Sequence, residues 1–334
     1  MSISKSVISF TKSLLGLSEN KFSCGRSCLI ASTSDPVSRV LNFSLAVVLL
    51  FVFIISFGIS KTRFLTNGNE SNYYIYPVSI PKKVSFAGED MSLDEDDLIE
   101  RMDKEFLVNT YWQSNTILLI KRANKYFPQI EKILIDEGVP TDFKYLALIE
   151  SGLENVTSPS GAKGFWQIMK TTGKEYGLEI NSNVDERYNL NLSTRIACKY
   201  LKKAKDKFGN WTLAAAAYNR GINGIQNKIT NQNQTAYENI LFGEETKRYI
   251  FRIIALKNIV ESPESFGFHI EEEHMYNPVK YDEIKIDTPI SNISDFSKNL
   301  GLTYKSFKIH NPWLLENHLN NKSRKVYTIS IPSE

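Results

Sequence analysis

Residues 141–169 read TDFKYLALIESGLENVTSPSGAKGFWQIM, and the break in the middle of this stretch decides the fold. Its first part predicts a helix. Thr141 or Asp142 is placed to cap it, Tyr145, Leu146 and Ile149 supply an apolar face, and Gly152 is placed to end it after Glu150. The Ser- and Gly-rich run Thr157–Gly164 predicts a loop, and an apolar FWQIM at 165–169 follows it. Upstream, Leu98, Ile99, Met102, Phe106 and Leu107 recur at helical steps. So do Ile117, Leu118, Ile120, Tyr126, Ile130, Ile133 and Leu134, until Gly138 and Pro140 stop the pattern. Downstream, helices are expected over 192–207, 211–219 and 244–260. Strand signals are nearly absent from 94 to 262, which predicts an all-helical domain. The tail changes character. Glu283–Ile286 and Val326–Ile331 alternate as strands do, with short helical patterns at 291–299 and 303–310 between them, so a small β-α-α-β unit is expected.

Ahead of the helical region, Leu41–Ser60 reads LNFSLAVVLLFVFIISFGIS, with no charge over its length. A helix of about 20 such residues spans a bilayer core. A cleaved signal peptide is the alternative, but the run starts late, is long and lacks a clean small-x-small site after it. Lys5, Lys12, Lys21, Arg26 and Arg39 outnumber Glu19 and Asp35 before it, which favours a cytoplasmic N-terminus, although Lys61 and Arg63 blunt the bias. The expected order is therefore a disordered cytoplasmic arm at 1–40, a transmembrane helix at 41–60 and a linker at 61–93. A helical domain at 94–267 and a small module at 280–332 follow.

With 40 basic and 37 acidic residues the net charge is +3, too balanced for a nucleic-acid partner. Three cysteines give neither a disulfide framework nor a zinc pattern, and Cys198 reads as a small buried hydrophobe. His269 and His274 in HIEEEH are spaced five apart, one more than places two ligands on one helix face. No metal and no cofactor is expected.

Glu150 carries the chemistry. A carboxyl in an apolar wall has its charged form disfavoured, which raises its pKa and lets it protonate a leaving oxygen near neutral pH. A capping or surface Glu is the plainer reading of that residue alone. GAKGFWQIM then places glycines where backbone can approach a ligand, Phe165 and Trp166 as apolar faces for pyranose rings, and Gln167 as donor and acceptor. A core aromatic pair beside a turn is the alternative for the two rings. In WTLAAAAYNRG (Trp211–Gly221), Tyr218 and Asn219 fall together at a helix end. In ETKRYI (Glu245–Ile250), Tyr249 offers a further hydroxyl.

The order and spacing of these pieces resemble the soluble lytic transglycosylase family with its lysozyme-like catalytic domain, close to the membrane-bound type D branch. The resemblance covers roughly residues 95–267. It rests on ALIESGL, GAKGFWQIM, Tyr176–Gly177, VDERYN at 184–189, FGNWTLAAAAYNRG and ETKRYIFRIIALK. It implies Glu150 as the single catalytic acid and Ser151 beside the muramoyl sugar. Gln167, Tyr218, Asn219 and Tyr249 fall on further site positions. Lys170 and Arg220 depart from what many members carry, Pro and Ala or Asn, which leaves substrate length preference open.

The resemblance also implies peptidoglycan glycan strands as substrate, cleaved between N-acetylmuramic acid and N-acetylglucosamine with a 1,6-anhydro product. A two-carboxylate glycosidase needs a second acid; none is obvious here, and Asp185 and Glu186 read as a loop brace around Arg187. The alternatives are a hydrolytic muramidase of goose-lysozyme type and a non-catalytic wall-binding anchor. The implied location is the bacterial inner membrane, with the catalytic domain in the periplasm. SNISDFSKNLGLTYKSFKIHNPWL at 291–314 resembles a degenerate LysM module. It either binds glycan or only packs on the catalytic domain.

Overall fold

A computed structural model describes residues 75–333, and those from Tyr76 onward form one compact unit. The expected transmembrane helix at 41–60 and the arm before it lie outside the described residues. Among the described residues, no helix is long and apolar enough to cross a membrane.

Eight helices build the larger part. They are α1 (Asp96–Tyr111), α2 (Gln113–Asp136), α3 (Lys144–Ser151), α4 (Lys170–Glu175), α5 (Leu190–Phe208), α6 (Trp211–Arg220), α7 (Ile222–Gln232) and α8 (Glu244–Glu261). Most of the apolar steps read from the sequence fall on buried faces, but Ile117 and Leu118 at the start of α2 are exposed. Leu98, Met102 and Phe106 on α1 meet Ile130 and Leu134 of α2 and Ile250, Ile253 and Ile254 of α8 in one core. The run Ala214–Ala217 is fully buried, since methyl side chains let α6 lie close to its neighbours in the middle of that core. α7 was not among the expected helices. Its buried face amounts to Ile225 alone, too little to stand out as a period.

The linker expected up to residue 93 is corrected at its end. Lys83–Phe86 and Glu89–Ser92 form an antiparallel hairpin, β1–β2, and Val84, Phe86, Met91 and Leu93 join the helical core. Ala87 and Gly88 make the turn with φ of 53° and 77°, the two left-handed residues that a tight two-residue hairpin demands. Alanine is an unusual choice there, so the turn carries no strong sequence signal. The hairpin also takes over the residue expected to cap α3. Asp142 Oδ2 accepts from Ala87 N at 2.7 Å and from Lys257 Nζ at 2.7 Å, and Thr141–Phe143 is a 3-10 turn with no side-chain cap.

The tail is the β-α-α-β unit the alternation predicts. β3 (Lys280–Ile286) pairs antiparallel with β4 (Tyr327–Ser333), with Ile284 opposite Ile329, and α9 (Ile293–Asn299) and α10 (Tyr304–His310) lie between them in sequence. Its core holds Ile293, Phe307, Leu314, Leu319 and Ile329. It also holds Val184, which belongs to the helical part of the chain.

Candidate active site

Glu150 sits in the last turn of α3, one residue before Ser151 and two before Gly152, whose φ of 61° ends the helix as expected. The flanking Tyr145, Leu146, Ala147 and Leu148 are buried, so the carboxyl emerges from an apolar wall. Burial pushes its pKa up to about 7. A hydrogen bond donated by Tyr249 from α8 opposes the rise, the Glu245 carboxylate adds to it, and Arg252 opposes it. A half-protonated carboxylic acid at neutral pH is what general acid catalysis requires.

Tyr249 is buried, and both burial and the neighbouring Glu150 charge raise its pKa far above the ordinary tyrosine value. Its hydroxyl therefore stays protonated and acts as a donor. Tyr218 at the end of α6 is held neutral in the same way, first by burial and then by Glu150. It donates to Trp166 O at 2.7 Å. Asn219 accepts from Thr246 Oγ1 at 2.8 Å, which ties α6 to α8 and leaves its amide N–H groups for a ligand. Thr246, three residues before Tyr249 on the same helix face, was not read from the sequence; its position one turn away was the available signal.

The loop Gly161–Gln167 is fastened to this site from the other side. Ser151 Oγ donates to Phe165 O at 2.8 Å. Gln167 adopts φ 45° and folds its amide back, Nε2 donating to Gly164 O at 2.8 Å and Val156 O at 3.2 Å. Its donor half is spent inside the loop; its Oε1 makes no hydrogen bond among the described residues. Phe165 and Trp166 are corrected as sugar-facing walls. Trp166 is fully buried, its indole N–H satisfied by Thr194 Oγ1 at 2.8 Å, and Phe165 packs edge-on to Tyr126 at 4.8 Å. Large apolar rings gain most by leaving water altogether, and these two find room in the core. Their backbone carbonyls, not their rings, serve the site.

Asp185 and Arg187 form a buried ion pair, with Nη2 to Oδ2 at 2.7 Å and Nε to Oδ1 at 2.9 Å. Burial alone would raise the Asp185 pKa, but the guanidinium holds it below the ordinary carboxylate value. Glu186 does not share this brace; it pairs with Lys325 of the C-terminal unit at 2.6 Å. Near Glu150 itself, Glu245 is the carboxylate that acts on it through space, and its side chain is 68% exposed.

A mainly helical domain presenting one desolvated acid between tyrosine hydroxyls, followed by a β-α-α-β unit, defines a lysozyme-like architecture with an appended module. Residues 129–241 match the transglycosylase SLT domain, and residues 282–334 match the soluble lytic transglycosylase C-terminal LysM-like domain. Glu150, Ser151, Gln167, Tyr218 and Asn219 lie inside the first match and Tyr249 just beyond it. The chain is 29% identical over 194 residues to the membrane-bound lytic murein transglycosylase D of Escherichia coli strain K12 and, equally, of strain O6:H1. That alignment takes 56% of this chain and 42% of the relative, so the chain spans less than half the length of the curated relatives it matches.

Among solved structures, the 70 kDa soluble lytic transglycosylase of Escherichia coli aligns with TM-score 0.38 and 17% identity, over 55% of this chain and 34% of that one. A lytic transglycosylase Slt of Pseudomonas aeruginosa aligns with TM-score 0.34 and 21% identity, over 45% of this chain and 26% of that one.

Proposed function

We propose that this protein is a peptidoglycan lytic transglycosylase. It would cleave the β-1,4 bond between N-acetylmuramic acid and N-acetylglucosamine, with Glu150 as acid and then base. One observation carries the reading: a single carboxyl, lifted to about pH 7 by burial and oriented by the Tyr249 hydroxyl, at the meeting point of α3, α6 and α8. Protonated Glu150 gives its proton to the glycosidic oxygen as the bond to the muramoyl C1 breaks. The substrate's own N-acetyl group stabilises the positive charge that develops at C1. Glu150, now a carboxylate, takes the proton of the muramoyl 6-hydroxyl, whose oxygen closes on C1. No water is consumed, and the product ends in a 1,6-anhydro sugar. Gln167 Oε1 and the Asn219 amide N–H groups are left for contacts to the sugars among the described residues, while the Ser151 hydroxyl, whose proton goes to Phe165 O, can only accept.

Glu245 supports a second reading, the hydrolytic one. Its carboxylate is near enough to act on Glu150, and a water activated there would give a reducing end instead. It is exposed, and its ion pair with Arg252 Nη1 is a loose 3.8 Å, so it lacks the fixed placement a general base needs. Mass spectrometry of products from purified sacculi separates the two. Fragments 18 mass units lighter than hydrolysis products carry the anhydro end, and reducing ends would point to Glu245. Glu150→Gln variants that still released anhydromuropeptides would overturn the role given to Glu150. The apolar run 41–60 fits an inner-membrane anchor that leaves the enzyme outside the cytoplasm, in keeping with the membrane-bound name of the relatives. Protease accessibility in spheroplasts tests that placement.

A further inference from the structure

The C-terminal unit hydrogen-bonds to the helical domain through one short segment, residues 179–186. Asp185 N donates to Trp313 O and Leu315 N donates to Asn183 O, both at 2.9 Å. The Asn183 side chain is used at both ends, Nδ2 donating to His318 O and Oδ1 accepting from Asn320 N, each at 2.8 Å. Val184 is inserted between these bonds into the module's own apolar core. On the far side, Lys325 spans Glu186 at 2.6 Å and Glu179 at 2.9 Å, and Tyr327 donates to Glu179 at 2.8 Å.

The next residue holds the loop beside Glu150. Arg187, fully enclosed and fixed by Asp185, donates from Nη1 to Gly161 O at 3.0 Å and to Ile168 O at 3.2 Å, the two ends of the loop. Gly164 lies against the Arg187 backbone so closely that a Cβ there would be 2.1 Å from Arg187 O. That loop then accepts Ser151 at Phe165 O and Tyr218 at Trp166 O. A path of hydrogen bonds, joined by short stretches of backbone, thus runs from the module to Ser151, next to the acid in the chain, and to Tyr218 beside it. Residues 183–187, the Arg187 guanidinium included, are buried, so water competes little for the bonds they make.

We propose that Arg187 is a positioning residue for the reaction, and that the C-terminal module acts as a clamp that fixes Arg187 and, through it, the Gly161–Gln167 loop over Glu150. This rests on the function proposed above. The module's contribution to turnover is then internal, separate from any contact it makes with the wall. A guanidinium is needed because its planar fork serves one carboxylate and two carbonyls together, which an ammonium on a single stem does not.

The test uses the full chain and purified sacculi, with Arg187→Lys in the loop brace, Lys325→Met at the clamp, and Glu150→Gln in parallel. The kcat, KM and pH profile are measured for each folded variant. Arg187→Lys is expected to lower kcat about tenfold with KM within about twofold, the scale of losing well-placed charged hydrogen bonds. Lys325→Met is expected to lower it about threefold on the same pattern, since only the outer part of the clamp is loosened.

Both should shift the alkaline limb of the profile to lower pH, because a loosened loop admits water to Glu150 and eases its ionisation. A brace that served stability alone would lower the active fraction equally at every pH and leave the limb in place, and that result overturns the proposal. If Arg187→Lys does not fold, Lys325→Met decides by the same criteria. Glu150→Gln at wild-type activity would overturn the proposed function itself. An inactive Glu150→Gln beside unaltered clamp variants overturns the clamp alone.

Discussion

Replacing Glu150 with Gln should make the protein more stable at alkaline pH and nearly leave it unchanged in acid. The native carboxyl titrates at about 7 against 4.5 for the free side chain. A pKa raised on folding means that the native state holds the proton more tightly than the unfolded chain does. Below about pH 4.5 both states are protonated and the site carries no penalty. As pH rises from there through the native value, the unfolded chain releases its proton freely while the native state resists, and stability is lost. The full difference is 7 − 4.5 = 2.5 units, about 3.4 kcal/mol at about 1.36 per unit.

Glu150 is part-exposed, which lowers the expected effect to about 2 kcal/mol at pH 8 and to less than about 0.5 at pH 4.5. Gln has the shape of the protonated acid without its titration, so it escapes the penalty. Thermal melts of both proteins at the two pH values read this directly. Glu150→Gln should melt roughly 4–8 °C higher at pH 8 and within about 2 °C at pH 4.5. Equal shifts at both pH values, or a wild-type protein more stable at pH 8, would refute the claim that Glu150 is held in a desolvated site. Activity on sacculi is expected to vanish in the same variant at both pH values.

Tyr249→Phe removes a hydrogen bond that favours ionised Glu150, so the alkaline limb of the pH–rate profile should move up by about one unit while the rate falls; a limb that moves down contradicts the assignment. Gly164→Ala places a Cβ 2.1 Å from Arg187 O at a φ of 77°, and the loop must shift. Its expected signature is a loss of about 3 kcal/mol or more in denaturant unfolding together with lost activity. Trp166→Ala empties a fully buried indole site and should cost about 3–5 kcal/mol of stability. A Trp166 variant that folded as tightly as wild type but bound sacculi poorly would reinstate the ring as a sugar contact.

What the sequence made legible about this protein is what depends on neighbours along the chain. The helix through Glu150, its end at Gly152, the apolar setting of the acid and the strand alternation of the tail are all set by residues three or four positions apart. The placing of Tyr218 and Tyr249 at the site was legible only through the ordered motifs and the family they resemble. Only the tertiary structure decided matters that turn on competition between distant partners. Asp142 could cap α3, but Ala87 N and Lys257 offered it better bonds. Trp166 could face a sugar, but Thr194 satisfied its N–H inside the core. Glu186 sits next to Arg187 in sequence, yet that guanidinium was already taken by Asp185, and its cation came from Lys325, 139 residues away. A side chain's chemistry is written in the sequence, whereas its partner is chosen by which burial costs least once the whole chain has packed.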